Sequence, residues 1–177
     1  YYFDIPIIAV GNLSVGGTGK TPQIEYLIRL LSSNYQIAVL SRGYKRKSKG
    51  FLLADAASTP ESLGDEPFQF YQKFPMIQVA VDSDRKNGIE QLLALENKPD
   101  IILLDDAYQH RKVIAGFYIL LTAYSDLYSE DFILPTGNLR ESRSGAKRAN
   151  VIVVTKCPRN LSLSEQNKIR AKLKVAD

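Results

Sequence analysis

The sequence predicts an α/β fold in which a mainly parallel sheet is sandwiched between helices, and three observations predict it. Short, continuous apolar runs recur along the 177 residues, helical patterns lie between several of them, and a glycine-rich turn joins the first run to the first helical pattern. Apolar runs without polar alternation suit strands buried on both faces, as in parallel sheets. Strands alternating with helices indicate the parallel arrangement.

The predicted strands are Ile5–Val10, Ile37–Leu40, Ile77–Val81, Ile101–Leu104, Phe117–Leu121 and Val151–Val154. Pro22–Leu31 carries Ile24, Leu27, Ile28 and Leu31 at helical spacing, and Pro22 falls where a first helical turn tolerates it. Asp84–Glu96 repeats the pattern with Ile89, Leu92, Leu93 and Leu95. Gly64-Asp65-Glu66-Pro67 opens a further helix, and Ser164–Val175 reads as a final amphipathic one with Ser162 or Ser164 as N-cap. Two long connections, Arg42–Leu63 and Thr122–Ala149, leave the carboxyl ends of predicted strands. Ligands gather at such ends in open α/β sheets.

With 45% hydrophobic and 24% charged residues the chain reads as a single globular domain spanning residues 1–177. No apolar stretch approaches the roughly 20 residues that cross a bilayer. The opening Tyr1-Tyr2-Phe3-Asp4 does not resemble a signal peptide, and without an initiator Met it leaves room for residues upstream. A lone Cys157 excludes an internal disulfide and a cysteine-rich zinc site, which fits a reducing compartment. The net charge of +4 is uneven: Arg42, Lys45, Arg46, Lys47 and Lys49 form one basic cluster, and Arg140, Arg143, Lys147 and Arg148 a second. Such clusters attract phosphates, anionic lipid or nucleic acid, or simply form solvated loops. No paired stacking aromatics argue for nucleic acid.

The chemistry is most legible between Gly11 and Thr21. Strand, glycine-rich turn and helix follow one another, as in the P-loop of NTPases. Gly16, Gly17 and Gly19 let the backbone approach a phosphate closely, and amides from Ser14 through Thr21 form a nest for anions. The helix N-terminus adds partial positive charge. Lys20 reaches the β- and γ-phosphates and the Thr21 hydroxyl ligates Mg²⁺. The general pattern wants glycine six residues before the lysine, and Ser14 stands there, followed by Val15 and then Gly16, Gly17, Thr18 and Gly19 in the expected order.

A P-loop needs an acid near the metal, usually at the end of a neighbouring apolar strand. Asp105 supplies it, with Asp106 beside it. The candidate metal ligands are Thr21, Asp105 and Glu66. Asp65 and Glu66 also suit a helix first turn as dipole partners. Phosphate transfer to a hydroxyl requires a carboxylate to accept the alcohol proton, and Asp65 is the candidate. His110, the one histidine, lies four residues past Asp106 and on a helix would share its face.

In this order, these residues resemble the tetraacyldisaccharide 4′-kinase family, the lipid A 4′-kinases of Gram-negative bacteria. The resemblance rests on Val10–Pro22, Leu40-Ser41-Arg42-Gly43-Tyr44, Gly64-Asp65-Glu66-Pro67, Asp105-Asp106-Ala107-Tyr108-Gln109-His110 and Leu134–Glu141. Ser14 is the kind of residue this family places at that position. The resemblance implies transfer of the γ-phosphate of ATP, with Mg²⁺, to the 4′-hydroxyl of tetraacyldisaccharide 1-phosphate, giving lipid IVA at the cytoplasmic face of the inner membrane. It implies that Asp65 activates the acceptor hydroxyl, that Lys20, Asp105 and Asp106 complete the catalytic set, and that Gln109 and His110 are neighbouring site residues. It places Tyr44 near nucleotide or substrate and makes Arg85 and Arg140 candidates for the lipid's phosphate or sugar. Ala107-Tyr108 departs from the Gly-Leu or Gly-Phe of many relatives. The family's chains are longer, with an N-terminal membrane-associated segment and a C-terminal part whose histidine is proposed to pair with the catalytic Asp. This chain carries no His beyond His110, so the resemblance predicts a fragment that binds nucleotide and is a poor kinase alone.

Two other readings stay open. One is another P-loop ATPase, GTPase or small-molecule phosphotransferase. Glycine-paired switch enzymes often carry a lysine where Val15 stands, and the stretch nearest to a guanine-reading Asn-Lys-x-Asp, Val154-Thr155-Lys156-Cys157, lacks the carboxylate. The other is a nucleotide-dependent membrane or nucleic-acid adaptor that uses the basic loops, without catalysis.

Overall fold

The computed structural model describes residues 1–173. Seven strands, β1 (Ile7–Asn12), β2 (Ile37–Ser41), β3 (Leu52–Leu53), β4 (Gln78–Val81), β5 (Ile101–Asp105), β6 (Phe117–Ala123) and β7 (Val151–Thr155), form one sheet. Their spatial order is β3-β4-β2-β5-β1-β6-β7. Every neighbouring pair is parallel except the antiparallel pair of β3 and β4 at the edge. The helices are α1 (Lys20–Leu31), α2 (Pro60–Leu63), α3 (Asp65–Lys73), α4 (Arg85–Leu93) and α5 (Leu163–Leu173).

The period of two along a strand explains why helices cover both faces. Val10, Val39 and Leu103 turn to one side and pack with Ile24, Leu27 and Ile28 of α1 and Phe70 of α3. Ala9, Ala38, Leu40, Ile102 and Leu104 turn to the other and meet Ile89 and Leu92 of α4. A third cluster joins Leu13, Tyr108, Leu120, Leu127, Tyr128 and Leu139 beneath the long connection after β6. Burying each such side chain stabilises the fold by roughly 1.5–3 kcal/mol.

The predicted sheet is thereby present with shifted ends. β1 begins and ends two residues later than its apolar run, because backbone pairing with β6 carries it through Gly11 and Asn12. The connection after β2 is not all loop: it holds the edge strand β3 and α2, whose start is fixed by a capping box between Thr59 and Ser62. The connection after β6 contains a 3₁₀ turn over Arg143–Arg148. Ser162 begins the last helix, its hydroxyl accepting from the Glu165 amide while the Glu165 carboxylate accepts from the Ser162 amide. That helix is nearly all exposed, with only Leu173 buried, and the expected extension to Val175 lies outside the described residues.

Gly11 sets the distance between the first strand and the turn after β5. A Cβ there would stand 2.6 Å from Tyr108 Cβ and 3.0 Å from its amide nitrogen. Gly11→Ala is expected to destabilise the domain by about 2–3 kcal/mol, measured by urea unfolding, because backbone rather than a flexible side-chain tip must give way.

Glu25 ties α1 to α3. It accepts from Lys73 at 2.6 Å and Arg29 at 3.0 Å on a face where the glutamate is buried. Burial alone would raise its carboxyl, but the bonds and charges of Lys73 and Arg29 outweigh it and hold the group below the ordinary value. A depressed acid contributes stability above its unfolded pKa and loses it as pH falls through the folded one. Glu25→Gln should therefore cost about 1 kcal/mol near neutrality and nothing well below the carboxylate range, as unfolding at both pH values would show.

Candidate active site

The loop between β1 and α1 is shaped by glycines in left-handed backbone: Gly16 has φ 103° and Gly19, which caps α1, has φ 87°. L-residues with a Cβ avoid both conformations. Asn12, at the end of β1, spans the loop by donating its amide to the Thr18 hydroxyl at 2.8 Å. From the other side the Leu134–Glu141 segment docks on it. Val15 N–H donates to the Asn138 carbonyl at 2.7 Å, Arg140 N–H to the Leu13 carbonyl at 2.7 Å, and Ser14 bridges Leu139. Ser14 is 4% exposed under that segment.

Beside the loop, at the carboxyl ends of β2, β5 and β1, opens a cleft of about 480 Å³. Lys20, Tyr44, Asp65, Glu66, Asp105, Asp106 and Arg140 line it, together with Ser41, Arg42 and Lys45. Segments separated by up to 120 residues in sequence thus converge. Thr21 donates its hydroxyl to Glu66 Oε1 at 3.1 Å, which brings the first turns of α1 and α3 together.

The two aspartates after β5 differ. Asp105 is buried and its Oδ2 accepts from the Ser41 hydroxyl at 3.0 Å, leaving Oδ1 buried without a hydrogen-bond partner among the described residues. Burial, and next the Glu66 charge, push its carboxyl up to about 6. Asp106 sits in left-handed backbone, φ 47°. Burial would raise its carboxyl too, but Arg140 and Lys20 hold it below the usual range. Arg140 grips it with both nitrogens, at 3.0 and 3.3 Å, and Lys20 Nζ stands 3.6 Å away.

These donors suit Mg²⁺. They are hard oxygens, namely the Thr21 hydroxyl, the Glu66 carboxylate and the unpartnered Asp105 Oδ1. Among the described residues no three acidic, His or Cys side chains cluster as a protein-only metal cage. Mg²⁺ is usually held by one or two carboxylates plus substrate phosphates, so a two-carboxylate set is fitting.

Three sequence expectations need correction. Arg85, expected to meet a substrate's phosphate or sugar, is 1% exposed. Its guanidinium donates to the main-chain carbonyls of Asp82 and of Asp105, the latter at 3.1 Å, and so braces the ends of β4 and β5 from behind. Burial pulls its pKa down to about 10, which leaves it charged at neutral pH. His110 does not share a helical face with Asp106, because the segment after β5 is a turn. Burial, then the charges of Arg85 and Arg42, lower its pKa, and the Ser83 backbone opposes them. Gln109 does not line the cleft: its amide donates to the Asn12 carbonyl at 2.7 Å and to Glu141 at 3.2 Å.

The basic clusters are also less free than their count implies. Arg148 pairs with Glu141 at 2.8 Å, Lys47 with Glu61 at 2.7 Å, and Arg46 donates to Ser48 and the Gly50 carbonyl. Sequence reasoning passed over Asn12, Ser41 and Glu141. All three lie inside the motifs named above: Asn12 and Ser41 stand at strand ends, and Glu141 gathers Gln109 and Arg111 from far upstream and Arg148 from seven residues downstream.

The sheet order, the glycine loop opening α1 and the acid ending the adjacent β5 define a protein with the P-loop kinase fold. A search of structures finds the LpxK crystal structure from Aquifex aeolicus in complex with ATP, with a TM-score of 0.79 and 42% identity, covering 88% of this chain and 50% of that one. The family model for tetraacyldisaccharide-1-P 4′-kinase matches residues 1–176, and the chain belongs to that family. The tetraacyldisaccharide 4′-kinases of Flavobacterium johnsoniae and Flavobacterium psychrophilum are 75% and 77% identical over 174 and 171 residues, which is 98% and 97% of this chain. The chain spans about half the length of these relatives, 51% and 50%.

Proposed function

We propose that this chain is the nucleotide-binding and phosphoryl-transfer part of an ATP-dependent kinase that phosphorylates the 4′-hydroxyl of tetraacyldisaccharide 1-phosphate to lipid IVA. The observation that carries this reading is the convergence of Lys20, Asp65, Glu66 and Asp105 on one cleft beside the glycine loop, with the Thr21 hydroxyl bonded to Glu66. Relatives named for this activity, and the ATP complex of the Aquifex aeolicus relative, support it.

In this reading amides of the Gly16–Thr21 segment cradle the phosphates, while the Val15 amide is taken by the Asn138 carbonyl. Lys20 leaves Asp106 to meet the β- and γ-phosphates. Thr21, Glu66 and Asp105 would hold Mg²⁺, which would supply positive charge to neutralise the phosphate oxygens. Asp65 accepts the proton of the sugar hydroxyl as its oxygen attacks the γ-phosphorus in line and ADP departs. Tyr44 and Arg140 border the acceptor side, while Arg85, Gln109 and His110 act from behind the cleft wall. In the same reading the acceptor is an anionic glycolipid and the reaction takes place at the cytoplasmic face of the inner membrane. Among the described residues no helix is long and apolar enough to cross a membrane. Arg42 and Lys45, on the cleft rim, would meet anionic headgroups with on the order of 1 kcal/mol each.

The test is transfer of ³²P from [γ-³²P]ATP to tetraacyldisaccharide 1-phosphate by the full-length protein. Labelled lipid IVA is expected, and a protein that binds ATP yet leaves this lipid unlabelled would overturn the assignment.

A further inference from the structure

We propose that Asn12 is a positioning residue for phosphate transfer: its one carboxamide fixes the shape of the glycine loop at one end and holds the Arg140 guanidinium at the cleft with the other. The proposal deepens the kinase reading and rests on it.

The side chain leaves a rigid base. Asn12 is the last residue of β1 and is fully buried. Its main chain is in register with Leu121 of β6, and its carbonyl accepts from the Gln109 amide at 2.7 Å. A group carried on so fixed a backbone can orient others.

The two ends of the carboxamide meet groups of opposite kind. The nitrogen donates to the Thr18 hydroxyl at 2.8 Å and reaches the Gly16 carbonyl at 3.5 Å. The oxygen accepts from Nη2 of Arg140, which lies 128 residues further along the chain. A guanidinium has only donors and a carbonyl only accepts, so one orientation of the amide satisfies both ends. Flipping it would set donor against donor at Arg140 and acceptor against acceptor at Gly16.

Arg140 connects this amide to the reaction. The same Nη2 donates to Asp106 Oδ1 at 3.0 Å, and Lys20 Nζ stands 3.6 Å from that oxygen. Arg140 Nε has no partner among the described residues, so Asn12 and Asp106 are the two side chains that orient the guanidinium there. In the kinase reading the nucleotide draws Lys20 away from Asp106. Arg140 must then stay in place, or it would follow the triphosphate and leave Asp106 bare beside the phosphates. Asn12 supplies a hold independent of Asp106, and as a neutral amide it adds no negative charge beneath the loop.

The experiment uses the full-length protein and reads three quantities: Kd for ATP, kcat for ³²P transfer to tetraacyldisaccharide 1-phosphate, and the urea unfolding midpoint. Asn12→Ala should lower kcat about 10²-fold, as misplacing a group by about 1 Å does, and change Kd for ATP by less than about threefold. The double variant Asn12→Ala, Arg140→Ala should turn over within about twofold of Arg140→Ala alone, because Asn12 acts through the guanidinium. Losses that multiply would overturn the proposal. So would wild-type kcat in Asn12→Ala, or a lowered midpoint with turnover per folded molecule intact, which is a role in stability alone. Asn12→Asp covers the case in which the alanine variant does not fold. It keeps an acceptor for Arg140, and the Thr18 hydroxyl can turn to donate to it. It should retain kcat within about fivefold of wild type and raise KM for ATP about tenfold, because its charge lies under the phosphate loop. An Asn12→Asp protein that folds yet keeps the wild-type KM, or loses as much kcat as expected for Asn12→Ala, would also overturn it. A wild-type protein that binds ATP and leaves the lipid unlabelled would instead sink the kinase reading, and this proposal with it.

Discussion

Asp65→Ala in the full-length protein is expected to bind ATP within about twofold of wild type and to lose on the order of 10³-fold in turnover. The two adjacent acids of α3 are divided by geometry. Glu66 accepts from the Thr21 hydroxyl at 3.1 Å, against the first turn of α1. Asp65 is exposed on the cleft wall at the start of the same helix. Removing it should spare every contact to the nucleotide and take away only the acceptor of the alcohol proton. Asp65→Asn should fail equally, since an amide of the same shape cannot accept that proton. The check is a Kd for ATP beside a rate of ³²P transfer. A parallel fall in both would move Asp65 to the nucleotide side, and full turnover in either variant would remove it from proton transfer.

The second large effect is expected from Lys20→Ala: loss of about 10²–10³-fold in kcat/KM, with weakened nucleotide binding and an unchanged unfolding midpoint. Charge-assisted bonds to phosphate are each worth about 1.5–3 kcal/mol, and Lys20 is the loop's one ammonium. The fold should not suffer, because Asp106 keeps Arg140 on both oxygens when Lys20 is gone. Nucleotide binding at wild-type strength would mean that the backbone amides hold the phosphates unaided.

How legible this was in sequence depends on how local each signal is. β1, β2, β4, β5 and β6 announce themselves because most of their residues are buried on both faces, and β7, only half-buried, is still legible as the apolar run Val151–Val154. β3 is two residues, Leu52-Leu53, and has no period to show. The glycine loop was readable because its chemistry is contiguous, from Ser14 to Thr21. His110 misled because a spacing of four means proximity only on a helix, and the left-handed Asp106 ends any helix there. Arg85 misled for another reason. An arginine in sequence looks like surface, and only the folded ends of β4 and β5 supply the carbonyls that let it be buried. Glu141 gathers partners 30, 32 and 7 residues away, a pattern that exists only in three dimensions.

One arrangement already described, the shared hold of Lys20 and Arg140 on Asp106, means that nucleotide capture is an exchange of anions and not a simple addition. The lysine already has a counter-ion before any triphosphate arrives, so the observed affinity is the difference between two attractions. Neutralising Asp106 would shift that balance toward the nucleotide even while it harmed the reaction, and tight binding in such a variant would measure how strongly the resting protein competes with its own ligand.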